Sequence, residues 1–179
     1  MKTGRHILIT GDVGTGKSFL IRRLLAGCRC PVYGFTTVKT DNASKDGWDF
    51  YLFPAALPEK ERIFSGDRLI GVRGKEKTAY PEVFDTLGVK LISEAKPGGV
   101  LVMDELGFME SEARLFRAAV LEALHGTIPV IAAVKKKYAV EFLDEVRACP
   151  STVLYTLTPE NRDTLADEIM RKEPLFSGI

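Results

Sequence analysis

Long apolar runs are missing from this 179-residue sequence. No stretch approaches the roughly 20 consecutive apolar residues that a membrane-spanning helix requires, so integral membrane classes are set aside. The opening MKTGRHILITGDVG is too polar and too glycine-rich for a signal peptide, and a cytoplasmic protein is expected. An excess of one charge is also missing: 25 Lys and Arg against 24 Asp and Glu leave a net +1. That balance argues against a general nucleic-acid or membrane-surface binder, and nucleic acid is not expected as a partner. Cysteine is scarce, with Cys28, Cys30 and Cys149 the only three. An odd count describes no disulfide framework, and Cys28-Arg29-Cys30 lacks the second ligand pair of a zinc site. These cysteines read as buried or idle thiols. His6 opens an apolar strand and His125 closes a helix, where the dipole favours partial positive charge.

What is present is an ordinary globular composition, 45% hydrophobic, long enough for one domain spanning residues 1–179. The apolar run His6 to Thr10 ends at Gly11, and Phe19 to Leu25 follow with helical spacing. Val32 to Val38 and Trp48 to Phe53 flank a polar turn and predict a β-hairpin insertion. Pro54 to Pro81, with three prolines and the cations Lys60, Arg62, Arg68, Arg73, Lys75 and Lys77, reads as irregular chain. Its arginines suit a lid over something anionic. A helix is expected from Pro81 to Ala95, interrupted near Gly88, and a strand from Val100 to Met103. Ser111 is placed to cap a helix reaching Leu124. Strand Pro129 to Val134, helix Val140 to Arg147, strand Thr152 to Leu157 and a helix opened by Thr158-Pro159 complete the chain. Strands alternating with helices predict an α/β fold with a mostly parallel sheet flanked by helices.

The strongest chemical signal is Gly11-Asp12-Val13-Gly14-Thr15-Gly16-Lys17-Ser18, with Phe19 beginning the next turn. Glycines let such a loop curl until consecutive backbone N–H groups point at a phosphate, and the helix that follows adds its positive dipole end. In this pattern Lys17 reaches the β- and γ-phosphates and Ser18 ligates Mg²⁺. A second signal is Val100-Leu101-Val102-Met103-Asp104-Glu105. An apolar strand ending in a carboxylate beside a phosphate loop can hold Mg²⁺, the role assigned to Asp104. Glu105 is then the residue to orient or deprotonate an attacking water. Glu110 has two readings, support of this loop or a solvated acidic helix start. Arg162 stacks on a base or senses phosphate in one reading and faces solvent in the other. Lys135-Lys136-Lys137 reads first as solvated surface, with a polyanion contact as the alternative.

The order GDVGTGKS, then Gly34-Phe35-Thr36-Thr37, then Asp104-Glu105-Leu106-Gly107-Phe108-Met109-Glu110, then Thr158-Pro159-Glu160-Asn161-Arg162-Asp163 resembles the small nucleoside-triphosphatase family that includes the cancer-related nucleoside-triphosphatase of animals. The resemblance covers most of the chain and implies a RecA-like P-loop fold, Mg²⁺ as cofactor and slow hydrolysis of several nucleoside triphosphates with loose base selectivity. Two positions depart from the family pattern. Phe108 stands where a lysine is usual, and Lys45-Asp46-Gly47-Trp48-Asp49-Phe50 replaces an arginine-bearing hairpin, so transition-state charge stabilisation is in question while binding is not.

Three functions compete on these residues. The first is a Mg²⁺-dependent hydrolase of the terminal phosphate of ATP, GTP and other triphosphates. The second is a nucleotide or small-metabolite kinase with its acceptor near the hairpin. The third is a nucleotide-dependent switch with little turnover.

Overall fold

The computed structural model describes residues 6–42, 46–75, 77–136 and 140–176. In chain order its strands and helices are β1 (His6–Thr10), α1 (Lys17–Ala26), β2 (Val32–Asn42), β3 (Gly47–Pro54), β4 (Leu69–Arg73), β5 (Lys77–Ala79), α2 (Pro81–Val83), α3 (Val89–Ser93), β6 (Val100–Leu106), α4 (Arg114–His125), β7 (Val130–Val134), α5 (Glu141–Ala148), β8 (Thr152–Thr156) and α6 (Leu165–Lys172). A π turn at Phe84–Gly88 joins α2 to α3, which is where the sequence placed an interruption.

The strands form one eight-stranded sheet in the order β5-β4-β3-β2-β6-β7-β1-β8. Pairings among β2, β6, β7, β1 and β8 are parallel, and those from β2 through β3 and β4 to β5 are antiparallel. Strands β1 and β7 are buried along their whole length, as continuous apolar runs at the centre of a covered sheet must be. Alternation divides their side chains between two cores. Ile7, Ile9, Val102 and Ile131 meet Leu20 and Leu24 of α1 and Ile169 of α6, while Leu8, Met103 and Ala132 meet Phe116 and Val120 of α4 and Phe142 of α5. Phe116 lies 5.4 Å from Phe35 and 5.1 Å from Phe84, centroid to centroid, so it ties α4 to the sheet and to the π turn.

Several local expectations are corrected. The basic stretch after Pro54 is not wholly irregular, because β4 and β5 extend the hairpin into a four-stranded antiparallel wing. Helix α4 starts at Arg114, and Ser111 does not cap it: its hydroxyl donates to the Phe108 carbonyl, and Asp85 instead accepts from the Phe116 N–H at 2.9 Å. The last helix begins at Leu165, after a turn in which Asn161 accepts from the Thr158 N–H and donates to the Thr156 carbonyl, both at 2.9 Å. That local side-chain bonding offers the backbone an alternative to helix. Cys28 and Cys30 are joined as a disulfide, against the reading of free thiols, and Cys149 is free and buried.

Candidate active site

The loop between β1 and α1 curls because Gly14 and Gly16 adopt left-handed backbone, φ 82° and 98°. Thr15 closes it, its N–H and hydroxyl both donating to the Asp12 carbonyl at 3.3 and 2.8 Å. Gly16 is the N-cap of α1, so the positive end of that helix faces the concavity of the loop. Val13 stands at its exposed outer turn and Phe19 is exposed on α1. Lys17, 7% exposed, folds back over the loop, and its ammonium donates to the Gly11 and Asp12 carbonyls at 3.2 Å each.

Two strands away, the tip of β6 brings up the carboxylates. Asp104 is buried, and its two oxygens accept from the Ser18 hydroxyl at 3.0 Å and the Thr36 hydroxyl at 3.4 Å. Burial pushes its pKa up, with the charge of Glu105 adding to the effect and the two hydroxyl bonds opposing it. A carboxylate and a hydroxyl converging beside a phosphate loop are the hard oxygen donors that Mg²⁺ takes. Among the described residues no group of three or more His, Cys, Asp or Glu could hold a metal unaided. The donor set therefore fits a cation whose remaining ligands are phosphate oxygens and water. Glu105, joined to Asp104 by a cis peptide, lies between two ammonium groups: Lys17 at 3.4 Å from one oxygen and Lys135 at 3.2 Å from the other.

For Lys135 the sequence offers solvated surface first and a polyanion contact as the alternative, and the fold brings it into the site. Strand β7 lies between β6 and β1, so the residue following β7 emerges between Glu105 and the phosphate loop. Its backbone is held on both sides: the N–H donates to the Leu106 carbonyl at 3.0 Å, and the Arg147 guanidinium donates to its carbonyl. Gly107 makes room for its stem, since a Cβ there would sit 3.0 Å from Lys135 Cδ. Lys136 faces Asp12 at 3.7 Å, and Lys137 lies outside the described residues. Thr36 is the other unassigned contributor, set opposite Asp104 by the register of β2 on β6.

Glu110 is 2% exposed and accepts from the Gly107 N–H, which overturns its reading as a solvated helix start. Burial raises its pKa to about 7 against the opposing pull of that hydrogen bond. A cavity of about 630 Å³ opens over Lys17, Ser18, Asp104 and Glu105, and Trp48, Phe108 and Arg73 also line it. Arg62 and Arg68 do not close over the loop: their guanidinium groups lie 5.7 and 5.4 Å from the Phe53 ring, though Arg62 also borders a cleft with Ser18 and Asp104. Arg162 is exposed in the turn before α6, its Nε 3.9 Å from Asp163, and is not part of the lining of either. Of the altered hairpin, Lys45 lies outside the described residues, while Trp48 and Phe50 face the cavity.

The family model described as NTPase matches residues 6–170. The chain belongs to the NTPase family. Its fold is that of the P-loop NTPases, with the phosphate loop following β1 and the acidic strand β6 separated from β1 by β7. The nucleoside-triphosphatase THEP1 of Methanocaldococcus jannaschii is 32% identical over 178 residues, covering 97% of this chain and 99% of that one. The THEP1 protein of Aquifex aeolicus is 28% identical over 171 residues, covering 92% and 96%. A crystal structure of the Aquifex aeolicus THEP1 superposes with a TM-score of 0.71 over 92% of this chain and 96% of that one, at 22% identity, a likeness of fold. Membership in the family makes this chain an enzyme acting on nucleoside triphosphates. Among the described residues no helix is long and apolar enough to cross a membrane.

Proposed function

We propose that this NTPase is a Mg²⁺-dependent cytoplasmic enzyme, one P-loop domain, that hydrolyses the terminal phosphate of ATP, GTP and other nucleoside triphosphates. The observation that carries the reading is the position of Glu105 between Lys17 and Lys135, directly beside a phosphate loop whose Ser18 already meets Asp104. The loop amides from Gly11 to Ser18 receive the phosphates, and Lys17 exchanges its two carbonyl partners for β- and γ-phosphate oxygens. Ser18 and Asp104 would hold Mg²⁺, which when bound neutralises charge developing on the bridging and terminal phosphate oxygens. Glu105 orients a water and accepts its proton while the water oxygen bonds to the γ-phosphorus and the bond to the β–γ bridging oxygen breaks, giving the nucleoside diphosphate and inorganic phosphate. Lys135 fixes the Glu105 carboxylate and supplies a cation on the γ side, where the chain carries Phe108 in place of a lysine. Arg162, on the exposed turn after β8, is proposed to stack on the base or sense phosphate.

The test is a phosphate-release panel over the common nucleoside triphosphates, with and without Mg²⁺. Release that requires Mg²⁺, varies little with the base and disappears in Lys17→Ala is expected. Intact nucleotide binding with no release from any of them refutes the hydrolase reading.

A further inference from the structure

The cavity over the phosphate loop has two chemically different halves. Its inner half carries Lys17 and Ser18 from α1 and Asp104 and Glu105 from β6. Its outer half lies across the antiparallel wing, where Trp48 and Phe50 come from β3 and Arg73 from β4, with Phe108 and Met109 from the loop after β6. In the sheet order β4-β3-β2-β6-β7-β1, this outer half is on the far side of Glu105 from the phosphate loop. A triphosphate bound at Gly11 to Ser18 ends with its γ-phosphate near Glu105, and its nucleoside leaves in the opposite direction. The side chains of Phe50, Phe108 and Met109 offer a polyphosphate no hydrogen-bond donors, so the apolar part of the outer half is not explained by the phosphate chain.

Its composition is specific. Trp48 and Phe108 are among the few large apolar side chains that remain exposed, at 39% and 55%. The Lys39 ammonium lies 4.5 Å from the centre of the Trp48 ring, and Arg73 is the cross-strand partner of Trp48. The cavity continues into an adjoining space of about 270 Å³ between Phe50, Phe108, Met109 and Lys77. The carboxylates lining these spaces, Asp104, Glu105 and Glu110, come only from β6 and the loop after it, so the charged side chains that the wing contributes to the lining are all cations.

We propose that this outer half is a second small-molecule site, for a planar aromatic anion that packs its ring against Trp48 and Phe108 and directs its charge to Arg73 and Lys39. Apolar walls with a few converging polar groups are what such ligands require, and cation pairing supplies the orientation. The occupant binds beside the nucleotide, a placement that rests on the nucleotide lying at the phosphate loop, and it screens Glu105 from bulk water.

Trp48 is the only tryptophan in the chain, so its fluorescence reports this site directly. Titration of the whole protein with 8-anilinonaphthalene-1-sulfonate should quench Trp48 emission as a single saturable site. Saturating MgATP should leave that affinity within about twofold, while Phe108→Ser and Arg73→Ser, both at exposed positions, should each weaken it by roughly three- to tenfold. Lys17→Ala should lose nucleotide and keep the probe, which separates failure of this proposal from failure of the nucleotide reading. Competitive displacement of the probe by MgATP would overturn the proposal by assigning the whole cavity to the nucleotide. Unchanged probe affinity in both Phe108→Ser and Arg73→Ser would overturn it as well.

Discussion

Glu110→Gln should make the protein's stability markedly less dependent on pH, and the size of the effect can be worked from the burial of that carboxyl. Glu110 titrates at about 7 in the folded protein against an ordinary value of 4.5, because burial penalises its charge more than the Gly107 N–H bond and nearby Lys135 favour it. Between those values the folded state holds the proton and the unfolded state has lost it. Stability from this group is therefore complete below about pH 4.5 and is lost as pH rises through 7. A difference of about 2.5 pH units corresponds to about 3 kcal/mol. Glutamine keeps an oxygen to accept from the Gly107 N–H and has no charge to desolvate. Urea unfolding of both proteins at intervals from pH 4.5 to 8 is the assay, since carboxylates common to both cancel in the difference. The stability of the variant minus that of the parent should rise by about 3 kcal/mol across the range, most steeply between about pH 5 and 6.5, where the folded state holds the proton and the unfolded state has lost it. A difference that stays flat with pH would show that Glu110 is ionised throughout and that its loop stabilises a buried charge.

Other outcomes follow from the same site. Glu105→Gln should retain nucleotide binding by calorimetry and lose roughly 10²- to 10⁴-fold in phosphate release, the range for removal of a general base. Asp104→Asn should raise the Mg²⁺ concentration needed for half-maximal turnover while leaving ligand-free thermal stability equal or higher at pH 8, because burial already disfavours the charged form of Asp104. Lys135→Met should lower kcat with little change in KM, and Lys135→Arg should restore part of it, since a cation facing Glu105 is what the position supplies. Gly34→Ala should cost more than about 2 kcal/mol in chemical unfolding: Gly34 has φ 90°, and a Cβ there would lie 2.0 Å from the Val102 carbonyl oxygen, across the pairing that sets Thr36 opposite Asp104.

The parts of this molecule that were legible in the sequence are those whose geometry is written in consecutive residues. A phosphate loop needs left-handed turns at fixed intervals, and Gly14 and Gly16 announce them. Strand β6 is a buried apolar run with two acids next to its last residue, and the first of them falls beside Ser18. Strands β4 and β5 were obscured because the wing is short and one of its residues, Gly71, is small for a packing reason: a side chain there would collide with Met109. The start of α6 was misplaced because Asn161 bonds its own neighbours more effectively than a helix would, a competition that propensity alone does not resolve.

Lys135 shows where reading along the chain stops being informative. Three consecutive lysines after a strand have the composition of solvated surface, and nothing within the run distinguishes the first. What distinguishes it is the insertion of β7 between β6 and β1, which brings the residue after Val134 to the acidic strand, in the cavity that the phosphate loop also lines. The trace in the sequence is at Gly107, more than 25 residues earlier, whose missing side chain leaves room for the Lys135 stem. A glycine in the loop after an acidic strand is weak information by itself. Combined with a parallel sheet order that places another strand beside it, the same glycine marks the passage of a long side chain from that strand, and the charge at the strand's end then belongs to the site.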